Sequence, residues 1–451
     1  MSSSRIGGRR ATVLAAAVLM LAGVLTGCSD DSDAKVLEVW TPNFSTEDMP
    51  AQRKIAREFE KRNPGVEVNI VGKPGTGGED STAVINAVRG GDPPDLYVIG
   101  RFATAQQASI GLLTDLQPFI EKDQKDGKGD LSEKYLDFAT AESTYNGHMY
   151  SLPFDSDVRG LVYNKDVMRD AGVDLDLLDP ANGPITTEQM MQIAEKVNKV
   201  DKDGNYTRMG IVPWSAEASP TTWALIRGAE YYQQDGCELT MDTPEFVETF
   251  EDYARWAEEL GYAKTSTFEA SYELGEQNPA QTALFTGRLG MQITGNWTLS
   301  NIRSYAPDLD YGVTWLPVVE KGDRPATWSG GFALAVPSGV DDPELSYEFA
   351  KFMAGPVGQK IYATDTNRLP TWEALQDDKD ITAGQGFFPE LLPYASSRPP
   401  LPVAQQIWNT LGTGMEAVVT GDQTPEEALQ TIESQVEPQM EQFCPYRMDQ
   451  P

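Results

Sequence analysis

The opening stretch of the chain restricts its possible folds more than any other segment. Val36 to Trp40 is a short apolar-rich run that enters a turn at Pro42, and Ala51 to Arg62 then carries apolar positions at Ile55, Ala56 and Phe59. The spacing predicts a strand followed by a helix. Asn63-Pro64-Gly65 breaks the helix, and Val66 to Val71 alternates as a strand does. A helical stretch from Thr82 to Arg89 and the turn Gly90-Gly91-Asp92-Pro93-Pro94 lead into Asp95 to Ile99, a further buried strand. Repeated β-α units predict an α/β domain with a largely parallel sheet.

With 451 residues the chain exceeds the usual size of one hydrophobic core, so two or more domains are expected. The polar stretch from Glu121 to Asp130, rich in Asp, Lys and Gly, is a candidate connection between lobes. Beyond it, strand-like runs at Met149 to Pro153, Leu161 to Tyr163 and Arg288 to Thr294 alternate with helices around Thr187 to Val200 and Pro244 to Leu260. These form a second α/β lobe. Asp342-Pro343 caps a helix from Glu344 to Met353, and a last helix runs from about Pro425 to Met440.

The first residues differ from the rest. Arg5, Arg9 and Arg10 precede an uncharged, mostly apolar run from Ala11 to Leu25, too short for a spanning helix and fitting a signal peptide over residues 1–27. Leu25-Thr26-Gly27-Cys28 closes that run and resembles the bacterial lipobox, whose cysteine is lipidated after cleavage. Residues 28–35 then form a polar tether. The Arg9-Arg10 pair leaves both Sec and twin-arginine export open. Export would place Cys237 and Cys444 in an oxidising compartment, and two cysteines allow one pairing, so a disulfide is expected. A formal charge of −32, from 36 Lys+Arg against 68 Asp+Glu, argues against binding nucleic acid.

Several chemistries lack their residues. The sole histidine, His148, excludes motifs that need two, and with them the histidine-rich zinc sites. No Gly-x-Ser-x-Gly elbow is present. Gly75-Thr76-Gly77-Gly78 lacks the Lys-Ser or Lys-Thr of a phosphate-binding loop. Asp201 to Asn205 hints at calcium, but Tyr206 stands where the loop needs glycine. No cofactor is expected. The many carboxylates leave a secreted glycan-cleaving enzyme open, since two suitably spaced acids suffice for that chemistry.

Nine tryptophans and seventeen tyrosines are scattered along the chain, and Trp40, Trp214, Trp297 and Trp328 sit where strands end. A sugar pocket needs flat aromatic faces with carboxylate, amide and arginine partners. Asn296 beside Trp297, Ser329, Gly330 and Gly331 beside Trp328, and Arg368 before Trp372 meet that description. The segments Pro93 to Tyr97, Asn146 to Pro153, Leu161 to Lys165, Phe285 to Met291, Gly295-Asn296-Trp297, Tyr311-Gly312-Val313 with Leu316-Pro317, and Gly421 to Leu429 resemble the extracellular solute-binding protein family 1. Its best-known branch includes the maltose-binding proteins.

The resemblance runs in family order from about Val36 to about Leu429 and implies a two-lobed, periplasmic-binding-protein-like α/β fold with a ligand cleft and hinge crossovers. It divides the chain into 36–122 (N-lobe), 131–325 (C-lobe), 326–390 (N-lobe) and 391–446 (C-lobe). It also implies a monomer that binds a carbohydrate by hinge closure and delivers it to the permease of an ABC importer. Matched motif by motif, the contacts implied are Arg101, Asp157, Trp223, Trp297 and Trp408, followed by Trp40, Asn43, Asp155, Trp328, Gly330, Gly331 and Arg368. After Trp408 the chain reads Asn409-Thr410-Leu411-Gly412, without the basic residue of maltose binders, so maltose is not assumed. A polyamine is an alternative solute for the same fold.

Overall fold

The computed structural model describes residues 34–448 except 43–46, 74–81, 234, 236, 276 and 277. The signal segment 1–27, Cys28 with most of its tether, Asn43 and the glycine-rich run at 75–78 lie outside the described residues. The chain forms a two-lobed α/β fold with one five-stranded sheet in each lobe.

In the first lobe the strand Lys35–Thr41 pairs in parallel with Val66–Gly72 and with Leu96–Gly100. The connecting helix Asp48–Arg62 buries Ala51, Ile55, Ala56 and Phe59 against the sheet, one stripe at helical spacing. Burial of Ile55 and of Phe59 contributes about 1.5–3 kcal/mol each. The helix stops at Asn63, whose backbone N–H reaches back to Phe59 O and Glu60 O. Two further strands, Phe332–Ala335 and Ser151–Pro153, complete the sheet in antiparallel sense. The sheet is therefore parallel only where β-α-β units build it. Its other side is made by strands entering from distant parts of the chain.

The second lobe is built around Asp157–Asn164, buried along its whole length. Met291–Gly295, Tyr311–Thr314 and Thr327–Gly330 pair antiparallel with it, and Ala395–Ser397 joins Thr327–Gly330 in parallel. The expected largely parallel sheet does not extend here. Helix Pro244–Leu260 packs Phe246, Phe250, Tyr253 and Trp256 into the core beside helices Ala404–Thr420 and Pro425–Met440. Cys237 and Cys444 are joined as a disulfide with Cα atoms 6.0 Å apart.

The lobe boundary expected at 123–130 moves to 153–157. Gln117–Lys125 is a helix of the first lobe, and Leu131, Tyr135, Met149 and Leu152 all enter that lobe's core. Asp123 ties the polar segment down, accepting from Lys128 Nζ (2.6 Å), Lys351 Nζ (2.7 Å) and Tyr347 Oη (3.1 Å). Polar composition marked an exposed helix face and its turn, not a crossing. The return crossing also differs from the expected 325/326 boundary, because Thr327–Gly330 still belongs to the second sheet and the chain leaves it at Gly330-Gly331. Leu369 bridges to Ser156 at the first crossing, Trp372 and Leu375 return to the first-lobe side, and the third crossing follows Ile381, since Phe388 is already in the second core before the expected start at 391.

Candidate functional site

The three crossings bring together charged side chains that lie far apart in sequence. Arg101 follows the end of strand Leu96–Gly100 and is fully buried. Its Nε donates to Glu142 Oε2 at 2.9 Å, Nη1 donates to Asp155 O, and Nη2 donates to Gly330 O and to Ser329 Oγ at 3.3 Å. One guanidinium thus ties both outgoing and returning crossings to the first lobe. Gly331, at φ +124°, is required there: a Cβ would collide with Arg101 Nη1 and Asp155 O. A Cβ on Gly330 would lie 2.8 Å from Asp157 Oδ1. These glycines admit neighbouring protein groups.

Asp157 accepts from Gly330 N at 2.8 Å, from Arg159 Nη1 and from Arg368 Nη1 at 3.4 Å. Burial pushes its carboxyl up, but Arg159, Arg368 and Arg101 outweigh burial and hold it below the usual value. Asp155 accepts from Phe332 N at 2.6 Å, while Oδ2 has no hydrogen-bond partner among the described residues. Burial pushes Asp155 up to about 6, against the pull of Arg368. Arg159 donates to Glu217 Oε2 at 2.8 Å. Four carboxylates, Glu142, Asp155, Asp157 and Glu217, therefore face four guanidinium groups, those of Arg101, Arg159, Arg368 and Arg398.

Aromatic rings fill the spaces between these charges. The Arg159 guanidinium lies 3.3 Å from the Trp328 ring centre and 5.1 Å from that of Trp297, and Arg368 lies 5.5 Å from Trp297. Cations occupy both rings, an arrangement attractive in its own right. Gly295 makes the packing of Trp297 possible, because a Cβ there would overlap the indole. Trp223 is not at the cleft: it is fully buried against Trp256 at 5.0 Å and donates to Pro213 O (2.8 Å) and Ala218 O (3.1 Å). Trp40 belongs to the first lobe, its Nε1 2.5 Å from Glu38 Oε1 and its ring under Lys73.

Between the lobes lies a cavity of about 20 Å³ lined by Phe102, Thr221, Tyr231, Arg398, Pro399, Ala404, Ile407 and Trp408. That is room for about one water, so a larger solute enters only if the lobes part. Arg398 stands over Phe102 at 3.9 Å, with Trp328 at 5.0 Å and Trp408 at 5.6 Å. Its Nε has no hydrogen-bond partner among the described residues, the nearest acid being Glu142 at 3.9 Å. Burial lowers Arg398 to about 10, so it stays charged at neutral pH. Of the residues expected from sequence, Trp408 lines this cavity, whereas Arg101, Asp155, Asp157, Trp297, Trp328 and Arg368 form the network at the crossings. Sequence reasoning missed Phe102, Tyr231 and Arg398. The signal available was the run Ser397-Arg398-Pro399-Pro400 just before a helix, a charge held by two rigid residues.

Among the described residues, no group of three or more His, Cys, Asp or Glu side chains is placed to hold a metal ion. None of the described helices is long and apolar enough to cross a membrane.

Comparison with known proteins bears on what such a cleft does. The sequence profile of the bacterial extracellular solute-binding proteins matches residues 43–360. The maltotriose-binding protein of Pyrococcus abyssi is 22% identical over 389 residues, covering 84% of this chain and 76% of that protein. The sn-glycerol-3-phosphate-binding periplasmic protein UgpB of Escherichia coli K12 is 28% identical over 404 residues, covering 84% and 86%. Among solved structures, CpMnBP1 with mannobiose bound gives a TM-score of 0.74 at 22% identity, covering 89% of this chain and 99% of that one. The GacH receptor of Streptomyces glaucescens, solved unliganded and with acarbose, gives 0.69 at 20% identity, covering 90% and 99%. The likeness to these two structures is one of fold.

Proposed function

Because the chain belongs to the bacterial extracellular solute-binding protein family, whose members bind and do not catalyse, we propose that it captures a carbohydrate between its lobes and delivers it to the permease of an ABC importer. The observation that carries this reading is the interlobe cavity: Phe102 from one lobe and Trp408 from the other, ring centres 6.3 Å apart, with Arg398 beside both. Two flat apolar faces and a directional donor suit a sugar ring, whose faces are C–H and whose rim is hydroxyl. Relatives with bound mannobiose and acarbose support the ligand class. Parting of the lobes at the three crossings would admit the ligand, and closure would bury it.

The lipobox-like Leu25 to Cys28 supports attachment to the outer face of the cell membrane, where a tether holds a binder near its importer. Replacing Cys28 by Ala is expected to release a folded protein into the medium; retention on membranes would refute the anchor.

A second ligand reading has its own support. Arg398 is a buried cation whose Nε makes no hydrogen bond among the described residues, and one relative is named for binding sn-glycerol-3-phosphate. A polyol phosphate would satisfy that cation by a charge-assisted hydrogen bond. A thermal-shift panel of mono- and oligosaccharides with a glycerol-3-phosphate arm separates the two. A ligand present at a hundred times its Kd adds about 2.7 kcal/mol of stability. Stabilisation by neutral sugars supports the first reading, stabilisation only by the phosphate supports the second, and an unchanged transition throughout counts against both.

A further inference from the structure

The chain's last described residues touch the other lobe. In the first lobe, strands Thr144–Tyr145 and His148–Met149 pair around Asn146 and Gly147, with φ of +51° and +79°. Asn-Gly supplies the left-handed backbone that a two-residue reversal needs, and the turn fixes Tyr145 at the lobe's edge beside Tyr150, ring centres 6.1 Å apart. In the second lobe, the Cys237–Cys444 disulfide pins the segment after helix Pro425–Met440 to the hairpin Tyr232–Gln233 and Glu238–Leu239. Two residues beyond Cys444, Tyr446 is buried at 3% exposure. Its hydroxyl donates to Pro400 O and its carbonyl accepts from Tyr232 Oη, both at 2.7 Å. Its ring stacks on that of Tyr145, with centres 6.0 Å apart and planes 24° apart.

We propose that Tyr145 and Tyr446 form an interlobe latch, in which the disulfide-tethered terminal segment holds the two lobes together beside the ligand cavity. One ring travels with each lobe, so the stack survives only while the lobes are together. On the second-lobe side Tyr446 is held by two hydrogen bonds and by the disulfide two residues before it, so little ordering entropy opposes the contact. Both hydrogen-bond partners adjoin the cavity: Pro400 follows the lining residue Pro399, and Tyr232 follows Tyr231. The latch therefore acts on affinity through closure without touching the ligand. Its use in retaining a solute rests on the cleft-capture reading above.

The test needs no ligand. Fluorophores placed through click-reactive residues at the exposed positions Glu133 and Gln430 of the full chain report interlobe distance by single-molecule energy transfer. Tyr145→Ala is expected to shift the closed-to-open ratio about two- to tenfold toward open, the range an aromatic pair supplies. Tyr145→Phe keeps the ring and is expected to keep the wild-type ratio. Reduction with dithiothreitol is expected to shift the ratio in the same direction as Tyr145→Ala, and this arm decides the matter if the alanine variant fails to fold. An unchanged ratio in folded Tyr145→Ala, or an equal shift in Tyr145→Phe, overturns the latch. If the ratio shifts as expected while no member of the solute panel binds, the latch stands and the capture reading falls.

Discussion

Substituting Arg101 by methionine separates two roles that the same residue could play. As a ligand contact, its loss would weaken binding tenfold or more and leave the melting temperature alone. As a crossing clasp, its loss leaves Glu142, itself fully buried, without its 2.9 Å partner, and strips donors from Asp155 O, Gly330 O and Ser329 Oγ. Breaking a buried ion pair from one side costs about 3–5 kcal/mol, because the surviving charge stays desolvated. Glu142 keeps the backbone N–H of Arg398 at 3.2 Å and that residue's Nε at 3.9 Å, which places the expected cost at the lower end of the range. For a chain of this length melting as one unit, a loss of this size lowers the transition in differential scanning calorimetry by about 3–4 °C. Removing both charges, with Arg101→Met and Glu142→Leu together, is expected to recover much of the loss, since apolar replacement of a buried pair is often neutral. A single variant melting within about 2 °C of the wild type would refute the clasp.

Four other substitutions test the fold and the cavity. Gly331→Ala forces a side chain into positive φ and against Arg101, and is expected to cost about 2–4 kcal/mol by urea denaturation; an unchanged midpoint would contradict the close approach. Asp155 titrates at about 6 in the fold against 3.8 for the ordinary group, so its contribution to stability is fully present below pH 3.8 and is lost as the pH rises through 6. The loss is on the order of 3 kcal/mol. Asp155→Asn should therefore flatten the stability profile between pH 4 and 7, and parallel profiles would exclude the assignment. Trp223→Ala is expected to destabilise the second lobe by about 3–5 kcal/mol as a core truncation. Trp408→Ala is expected to weaken solute binding with a much smaller change in melting, and the reverse pattern would return Trp223 to the site.

The elements were legible in the sequence because their periods are local. Ala51, Ile55, Ala56 and Phe59 announce a helix whatever the rest of the chain does, and Asn63-Pro64-Gly65 announces its end. Which lobe a segment joins is not local information. Residues 131–153 join the first lobe through the register of Ser151–Pro153 against Phe332–Ala335 and the burial of Leu131, Tyr135 and Met149 in its core, neither of which a local window contains. The tryptophans failed for a related reason. Trp297 and Trp328 carry polar or glycine neighbours, but they face arginines about 70 to 170 positions away, and Trp223 packs on Trp256, 33 positions on. Arg398 escaped notice because a single cation before two prolines has no period at all.

The placement of the charges bears on how the molecule could move. A hinge made of apolar side chains would lose burial on opening, whereas this one holds four guanidinium groups and four carboxylates whose hydration opposes closure. Asp155 shows the imbalance most clearly, with one oxygen that accepts no hydrogen bond among the described residues, its nearest cation Arg368 Nε at 3.9 Å, and a carboxyl raised by burial. Part of the closure energy must then come from contacts away from the crossings, such as the Phe102–Trp408 and Tyr145–Tyr446 ring pairs and the Gln405 N–H donating to Gln106 Oε1 at 3.1 Å. A solute that adds contacts between Phe102, Arg398 and Trp408 would enlarge that share. Under the proposed capture by closure, the edge formed by Phe102, Arg398 and Trp408 would set how far the equilibrium lies toward the closed form.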